Sequence, residues 1–141
     1  MKIKPKKQPK ISTLKRKAWT LFSEYIRLRD CLGTTGLRDY GNCITCQKTI
    51  PRKLLQAGHF IPGRHNSNLF SEEGTHAQCY NCNINLRGNT LEYRRQIIKL
   101  YGEGYDEILE AKAKEIMKFT PQGLEGLMEE LKSKIKLLEE E

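Results

Sequence analysis

The sequence predicts an α+β fold, a small metal-pinned core of two strands and a helix between an N-terminal helix and a C-terminal helical arm. Three observations predict it. Apolar residues recur at helical spacing near both ends of the chain. A middle stretch rich in Gly, Asn, Cys and His lacks that spacing. Four cysteines bracket the middle stretch as two Cys-x2-Cys pairs. The expected organisation is a disordered basic arm over 1–12, a metal-pinned domain with its flanking helices over 13–118, and an amphipathic helix over 119–141.

The arm is read from charge. The 141-residue chain has 25 basic and 17 acidic side chains, a net +8, and only 38% hydrophobic residues. That is apolar-poor for a compact globule, so part of the chain should be extended or long-helical. Eight of the basic residues fall within the first seventeen positions, from Lys2 to Lys17, with no acid among them. With Pro5 and Pro9 and little to bury, residues 1–10 should be disordered when free. Such an arm either keeps the chain soluble or seeks phosphates, where each lysine releases a counterion and makes binding salt-sensitive. No run approaches the roughly 18 apolar residues of a membrane span, and none follows the basic N-terminus as a secretion signal would require.

The first helix is read from Leu14, Ala18, Leu21, Phe22, Tyr25 and Ile26, one apolar stripe. Ser12 or Thr13 should cap it, and it should end near Arg29–Leu32, before Gly33 and Gly36. Trp19 should pack or lie half-buried. Helical spacing returns over Leu91–Leu100, with Gly102 after it, and again over Tyr105–Lys118. Thr120-Pro121 opens the last helix, whose stripe of Leu124, Leu127, Met128, Leu131, Ile135 and Leu138 is narrow and near heptad spacing. Its partner helix lies in this chain or in a second copy.

The core is read from Cys43, Cys46, Cys79 and Cys82. A two-residue gap lets both thiolates of a pair face one ion, so two pairs complete a tetrahedral structural Zn(II) site. Disulfides fit poorly without a secretion signal, and a redox pair needs one such motif rather than two. Cys31 stands apart as a partly buried thiol. The three histidines, His59, His65 and His76, all lie between the two pairs. A strand should end near His59, and the second cysteine pair should open a helix that stops at Gly88, which gives strand, loop, strand and helix. Each histidine also has a plain reading: a strand imidazole held by a carbonyl, a loop-surface group beside Arg64, and a brace for the zinc thiolates.

The strings Ala57-Gly58-His59-Phe60, His76-x-Gln78-Cys79-x-x-Cys82-Asn83 and Gly88-Asn89, with Tyr25-Ile26-Arg27-x-Arg29-Asp30 and the first cysteine pair, resemble the NinG (Rap) recombination proteins of lambda-like phages. The likeness spans roughly residues 12–110. More broadly, the segment resembles the zinc-knuckle HNH (ββα-metal) endonucleases. The resemblance implies a metal-dependent DNA endonuclease acting on branched recombination intermediates in the cytoplasm of a bacterial host. It puts His59 in the place of the general base and Asn83 in that of a ligand to a catalytic Mg(II) or Mn(II), cations that favour oxygen donors. His76 would orient the base or add a ligand. Two positions depart from the pattern. Gly74 stands where the middle Asn would orient the base, and Gly58 where an Asp or His often binds metal, so either acids from elsewhere, Glu72 and Glu73 being nearest, supply charge, or the metal binds weakly, or activity is reduced.

Lys15, Arg16, Lys17, Arg27, Arg29, Arg64 and Arg87 are the expected phosphate contacts. Two subunits would suit a four-way junction, and a homodimer through the C-terminal helix would supply them. The rival reading is a non-catalytic zinc module that binds DNA or a recombination protein. RNA binding is a third.

Overall fold

A computed structural model describes Ile3 and residues 7–140. Of the expected disordered arm over 1–12, residues 1, 2 and 4–6 lie outside the described residues, 3 and 7–10 have no regular secondary structure, and 11–12 already belong to the first helix. The long helix α1 (Ile11–Thr35) forms the spine. It starts a residue before the expected caps, with Lys10 in the cap position and no side-chain cap bond. It also runs past Leu32, because Leu28 and Cys31 continue its buried face. Gly36, at φ 77°, then stops it by returning its N–H to the Leu32 carbonyl.

Two antiparallel hairpins pack on α1. Strands β1 (Tyr40–Asn42) and β2 (Thr49–Pro51) carry the first cysteine pair between them. A 3₁₀ turn over Arg52–Leu54 leads to β3 (Gln56–His59). After the short helix α2 (Asn66–Leu69), β4 (Thr75–Gln78) pairs with β3 in the register Gly58 opposite His76. A π-helical turn over Asn81–Asn85 follows, then α3 (Thr90–Tyr101), α4 (Tyr105–Ala113) and α5 (Pro121–Glu140).

The alternation of the β3–β4 hairpin sorts its two faces. Ala57 packs with Phe22 and Ile26 of α1, and Ala77 packs with Cys31. On the α3 side, Phe60 packs with Tyr93, Ile97 and Leu109. The last helix finds its partner within the chain. Leu124 joins Leu14 and Ala18, and Leu131 joins Phe22 and Ile26. Each of the buried Leu, Ile and Phe side chains here contributes about 1.5–3 kcal/mol, so the apolar stripe that a second copy would need is largely spent on α1.

Helix α4 ends five residues earlier than its spacing predicts. Ser67 donates its hydroxyl to the Ala113 carbonyl, which closes the helix, and Ile116 beyond it is 94% exposed with nothing to pack on. Thr120 does cap α5, accepting the Gly123 N–H on its hydroxyl at 3.0 Å. Among the described residues, no helix is long and apolar enough to cross a membrane.

Candidate metal centre and adjoining cleft

The sulfurs of Cys43, Cys46, Cys79 and Cys82 all lie within 4.8 Å of one another. The first pair comes from the tight loop between β1 and β2, where Gln47 takes a positive φ of 64°. The second pair sits on the turn after β4, where the Cys82 N–H points at the Cys79 sulfur at 3.4 Å. Four sulfurs from two such turns suit one zinc ion. Their titration shows why a cation suits them. Burial opposes ionisation of Cys43, but backbone N–H groups and the Thr45 hydroxyl outweigh it and bring its thiol down to about 6. Burial and the neighbouring Cys43 sulfur push Cys46 up to about 12. The Cys43 thiolate forms readily, whereas Cys46 needs a cation to ionise.

Two polar side chains brace the clasp. The Thr45 hydroxyl lies 3.3 Å from the Cys43 sulfur, and Asn89 Nδ2 lies 3.7 Å from the Cys82 sulfur. His76 does not. It is 5% exposed, and it sits in a hydrogen-bonded chain whose direction is fixed by its far end. Tyr93 donates its hydroxyl to the Gly58 carbonyl at 2.6 Å. Its oxygen therefore accepts from His76 Nδ1 at 3.2 Å, and His76 Nε2 accepts from the Tyr101 hydroxyl at 2.9 Å. Burial lowers the His76 pKa to about 4, so the ring is neutral. Both ring nitrogens are spent on Tyr93 and Tyr101, so it neither orients His59 nor offers a ligand to a cation beside it. Its role is to tie β4 to α3, bonding Tyr93 and Tyr101, while Tyr93 carries the chain on to Gly58 of β3.

A cleft of about 440 Å³ brings the other predicted groups together. His59, Asn83, Arg64 and Arg87 all line it, with Trp19 and Ile84. Strand β3 pairs only with β4 among the described residues, and its Ala57 and His59 line this cleft. His59 Nε2 lies 3.0 Å from the Leu69 carbonyl. A carbonyl only accepts, so Nε2 carries the proton and Nδ1 keeps its lone pair. Burial lowers the His59 pKa below its usual 6.5, the Leu69 bond works against this, and Arg64 adds to the lowering. The ring is thus a neutral base at pH 7.

The group that orients His59 is one that the sequence reading missed. The Leu69 carbonyl does it, and Asn68 helps hold that carbonyl in place. Asn68 is 3% exposed and donates to the Ile61 carbonyl at 3.1 Å, closing the loop between β3 and α2. An Asn closing a short polar run, six residues before Gly74, was the available signal.

Asn83 is fixed by its own amide. Nδ2 donates to Gln56 Oε1 at 2.8 Å, which leaves Oδ1 turned toward Gly58. A Cβ on Gly58 would lie 1.9 Å from Gln78 Oε1 and 3.1 Å from Asn83 Oδ1. Gly58 therefore carries no ligand itself because two amide oxygens fill the space beside it. Gln78 is fully buried, its Nε2 donates to Thr45 and to the Gly88 carbonyl, and its Oε1 has no hydrogen-bond partner. Of these two oxygens only that of Asn83 belongs to a residue lining the cleft; as a neutral, hard donor it is of the type that oxygen-preferring divalent cations accept.

Other expected residues lie elsewhere. Glu72 is tied to Lys134 of α5 at 3.2 Å and supplies no charge to the cleft, and neither Glu72 nor Glu73 lines it. Arg29 is not free for phosphate. Its guanidinium bonds Asp30 and the carbonyls of Glu72 and Thr75, each at 2.8 Å, and so fastens α1 to the strand that carries His76. Asp30 completes the clamp by accepting the Ala77 N–H at 2.7 Å. Lys15 holds Asn66 at 2.8 Å. Arg27 lines a separate shallow cleft with Arg52 and Lys53. Lys17 is exposed but lines neither cleft. Arg16, Arg64 and Arg87 remain exposed. His65, at the start of α2, is exposed as expected.

The fold and the site together define a mixed helix and small-sheet protein built on a four-cysteine clasp able to hold one zinc ion. The chain belongs to the bacteriophage lambda NinG family, since the family model described as Bacteriophage Lambda NinG protein matches residues 1–141. No curated protein and no solved structure matches it.

Proposed function

We propose that this chain is a metal-dependent DNA endonuclease of the HNH (ββα-metal) kind that cuts branched recombination intermediates. The observation that carries the reading is the cleft itself. One neutral imidazole with a free Nδ1, one carboxamide oxygen and two exposed guanidinium groups converge on it. In phosphodiester hydrolysis a water attacks phosphorus in line with the departing 3′ oxygen. His59 Nδ1 takes the proton of that water as its P–O bond forms, and the leaving oxygen takes a proton from solvent. Arg64 and Arg87 hold the phosphates and draw charge from the phosphorane. Asn83, with Gln78 behind it, would hold a divalent cation, whose part when bound is to stabilise charge on the leaving oxygen.

Cleavage of a four-way junction in Mg(II) or Mn(II) by wild type and His59→Ala tests this. The expected result is a fall in cutting of about 10²–10⁴-fold with zinc content and DNA affinity kept. Equal cutting by both proteins removes His59 from the mechanism. One observation favours a second reading, a non-catalytic zinc-stabilised DNA-binding module: no carboxylate lines the cleft among the described residues. Tight binding with no cutting in either metal would select it.

A further inference from the structure

The cleft does not stop at Trp19. A second cleft, of about 490 Å³, opens beside it, walled by Ser12, Arg16 and Leu69, with Trp19 and Arg64 common to both. No acidic side chain lines it. Arg16 is exposed and forms no ion pair among the described residues. Lys15 stands at the edge with its ammonium fixed, bonded to Asn66 and 5.7 Å from the Phe119 ring centre. Arg64 lies 4.8 Å over the Trp19 ring, so its charge is held where the two clefts meet.

We infer that this second cleft binds the phosphodiester backbone of the DNA strand next to the scissile phosphate. That strand then runs from Arg87 past His59 and Asn83, across Arg64, to Arg16. The inference rests on the nuclease reading for the position of the scissile phosphate, and on charge and continuity for the rest. The free donors in the second cleft are two guanidiniums and a hydroxyl, which suit phosphate oxygens. Its one large aromatic already carries His59 and Arg64, so the ring is not offered to a base. The length fits as well. From Ile11 to Trp19 the helix axis advances about 12 Å, room for three or four nucleotides at ~3.4 Å per step. Beyond Ile11 the exposed Lys7 and Lys10 continue the basic track.

The test uses the full zinc-loaded chain carrying His59→Ala, so that DNA stays intact, and a branched DNA titrated at several salt concentrations. Adding Arg16→Ala or Arg64→Ala should each weaken binding about three- to tenfold and lower the salt slope by about one. Lys136→Ala, on the exposed side of α5, should do neither. A photocrosslinker at Ser12 should mark one strand about three or four nucleotides from the cut made by wild type. An Arg16→Ala protein with unchanged affinity and slope, or crosslinks scattered over both strands, overturns the second cleft as a strand site. Wild type that never cuts, yet loses affinity with Arg16→Ala and crosslinks one strand, overturns the nuclease reading and leaves the strand site standing.

Discussion

The imidazole of His59 and the indole of Trp19 lie nearly parallel, with ring centres 5.2 Å apart and planes 24° from each other. A residue of α1 thus forms a wall for a ring on β3. The Leu69 bond fixes where the His59 ring points, and the indole limits its tilt. Replacing Trp19 with Ala removes that wall and leaves the proton-accepting nitrogen chemically unchanged. The expected effect on cleavage is a drop in kcat of about tenfold or more with KM changed less, because misplacement penalises the reacting geometry. Trp19→Phe should restore most of the rate. Equal rates for Trp19→Ala and wild type in single-turnover cleavage would show that the indole only fills space.

His76 makes folding pH-dependent. Its pKa is about 4 in the fold, against an ordinary value of 6.5. The unfolded chain therefore takes up a proton between pH 6.5 and 4 that the fold refuses. Stability from this group is complete above about pH 6.5 and declines as pH falls to about 4, with a total loss on the order of 3 kcal/mol. Asp30, whose charge acts the other way, and Arg29 face the same chain. Urea unfolding of wild type and His76→Gln at pH 7.5 and 5 separates this from zinc loss, which both proteins share. The stability gap between the two should narrow at pH 5. A gap that is equal at both pH values would mean that the His76 proton is not linked to folding.

Zinc should decide whether the middle of the chain folds. A structural zinc contributes about 10–16 kcal/mol in small modules, as much as the whole stability of an ordinary domain. Residues 37–89 contain short strands and turns, and their buried apolar side chains are few: Leu55, Ala57, Phe60, Leu69 and Ala77. Cys82→Ser, or a strong chelator, should abolish the cooperative thermal transition of that region, while part of the α1–α5 helicity survives. Thermal melts followed by circular dichroism, with metal analysis showing one zinc per chain, measure this. A melt unchanged by Cys82→Ser would mean that the clasp is not what holds the fold.

The parts of this fold legible in the sequence are those with local causes. The stripes of α1 and α5 and the spacing of the two cysteine pairs stand in the letters themselves. The resemblance, rather than any local pattern, put His59 and Asn83 in one site, and both line the same cleft. The parts that were not legible depend on contacts across the fold. Nothing near Arg29 shows that its guanidinium will be spent on the Glu72 and Thr75 carbonyls, 43 and 46 residues away. The chain from Tyr101 to His76 to Tyr93 needs α3 folded back on β4. The orienting carbonyl of Leu69 is a backbone atom that any residue could supply, so composition is silent about it.

Arg87 offers a case in which stability and function should part. Arg87, Gly88 and Asn89 all have positive φ, at 51°, 93° and 47°, and the turn they make returns the Gly88 N–H to the Cys82 carbonyl at 2.9 Å. Glycine adopts such a conformation freely, whereas a residue with a Cβ gives up about 1–2 kcal/mol there. Arginine at this position, exposed and facing the cleft, carries a strain that a glycine would relieve. Arg87→Gly removes the strain but adds the greater freedom of glycine in the unfolded chain, about 0.5–1 kcal/mol in the opposite sense. The melting temperature should therefore stay level or rise slightly. DNA affinity should fall about three- to tenfold with a salt slope lower by about one, as for the loss of a single phosphate contact. Thermal melts and salt titrations on the same preparation measure both. A clear loss of stability with affinity unchanged would assign Arg87 to the turn instead of the DNA.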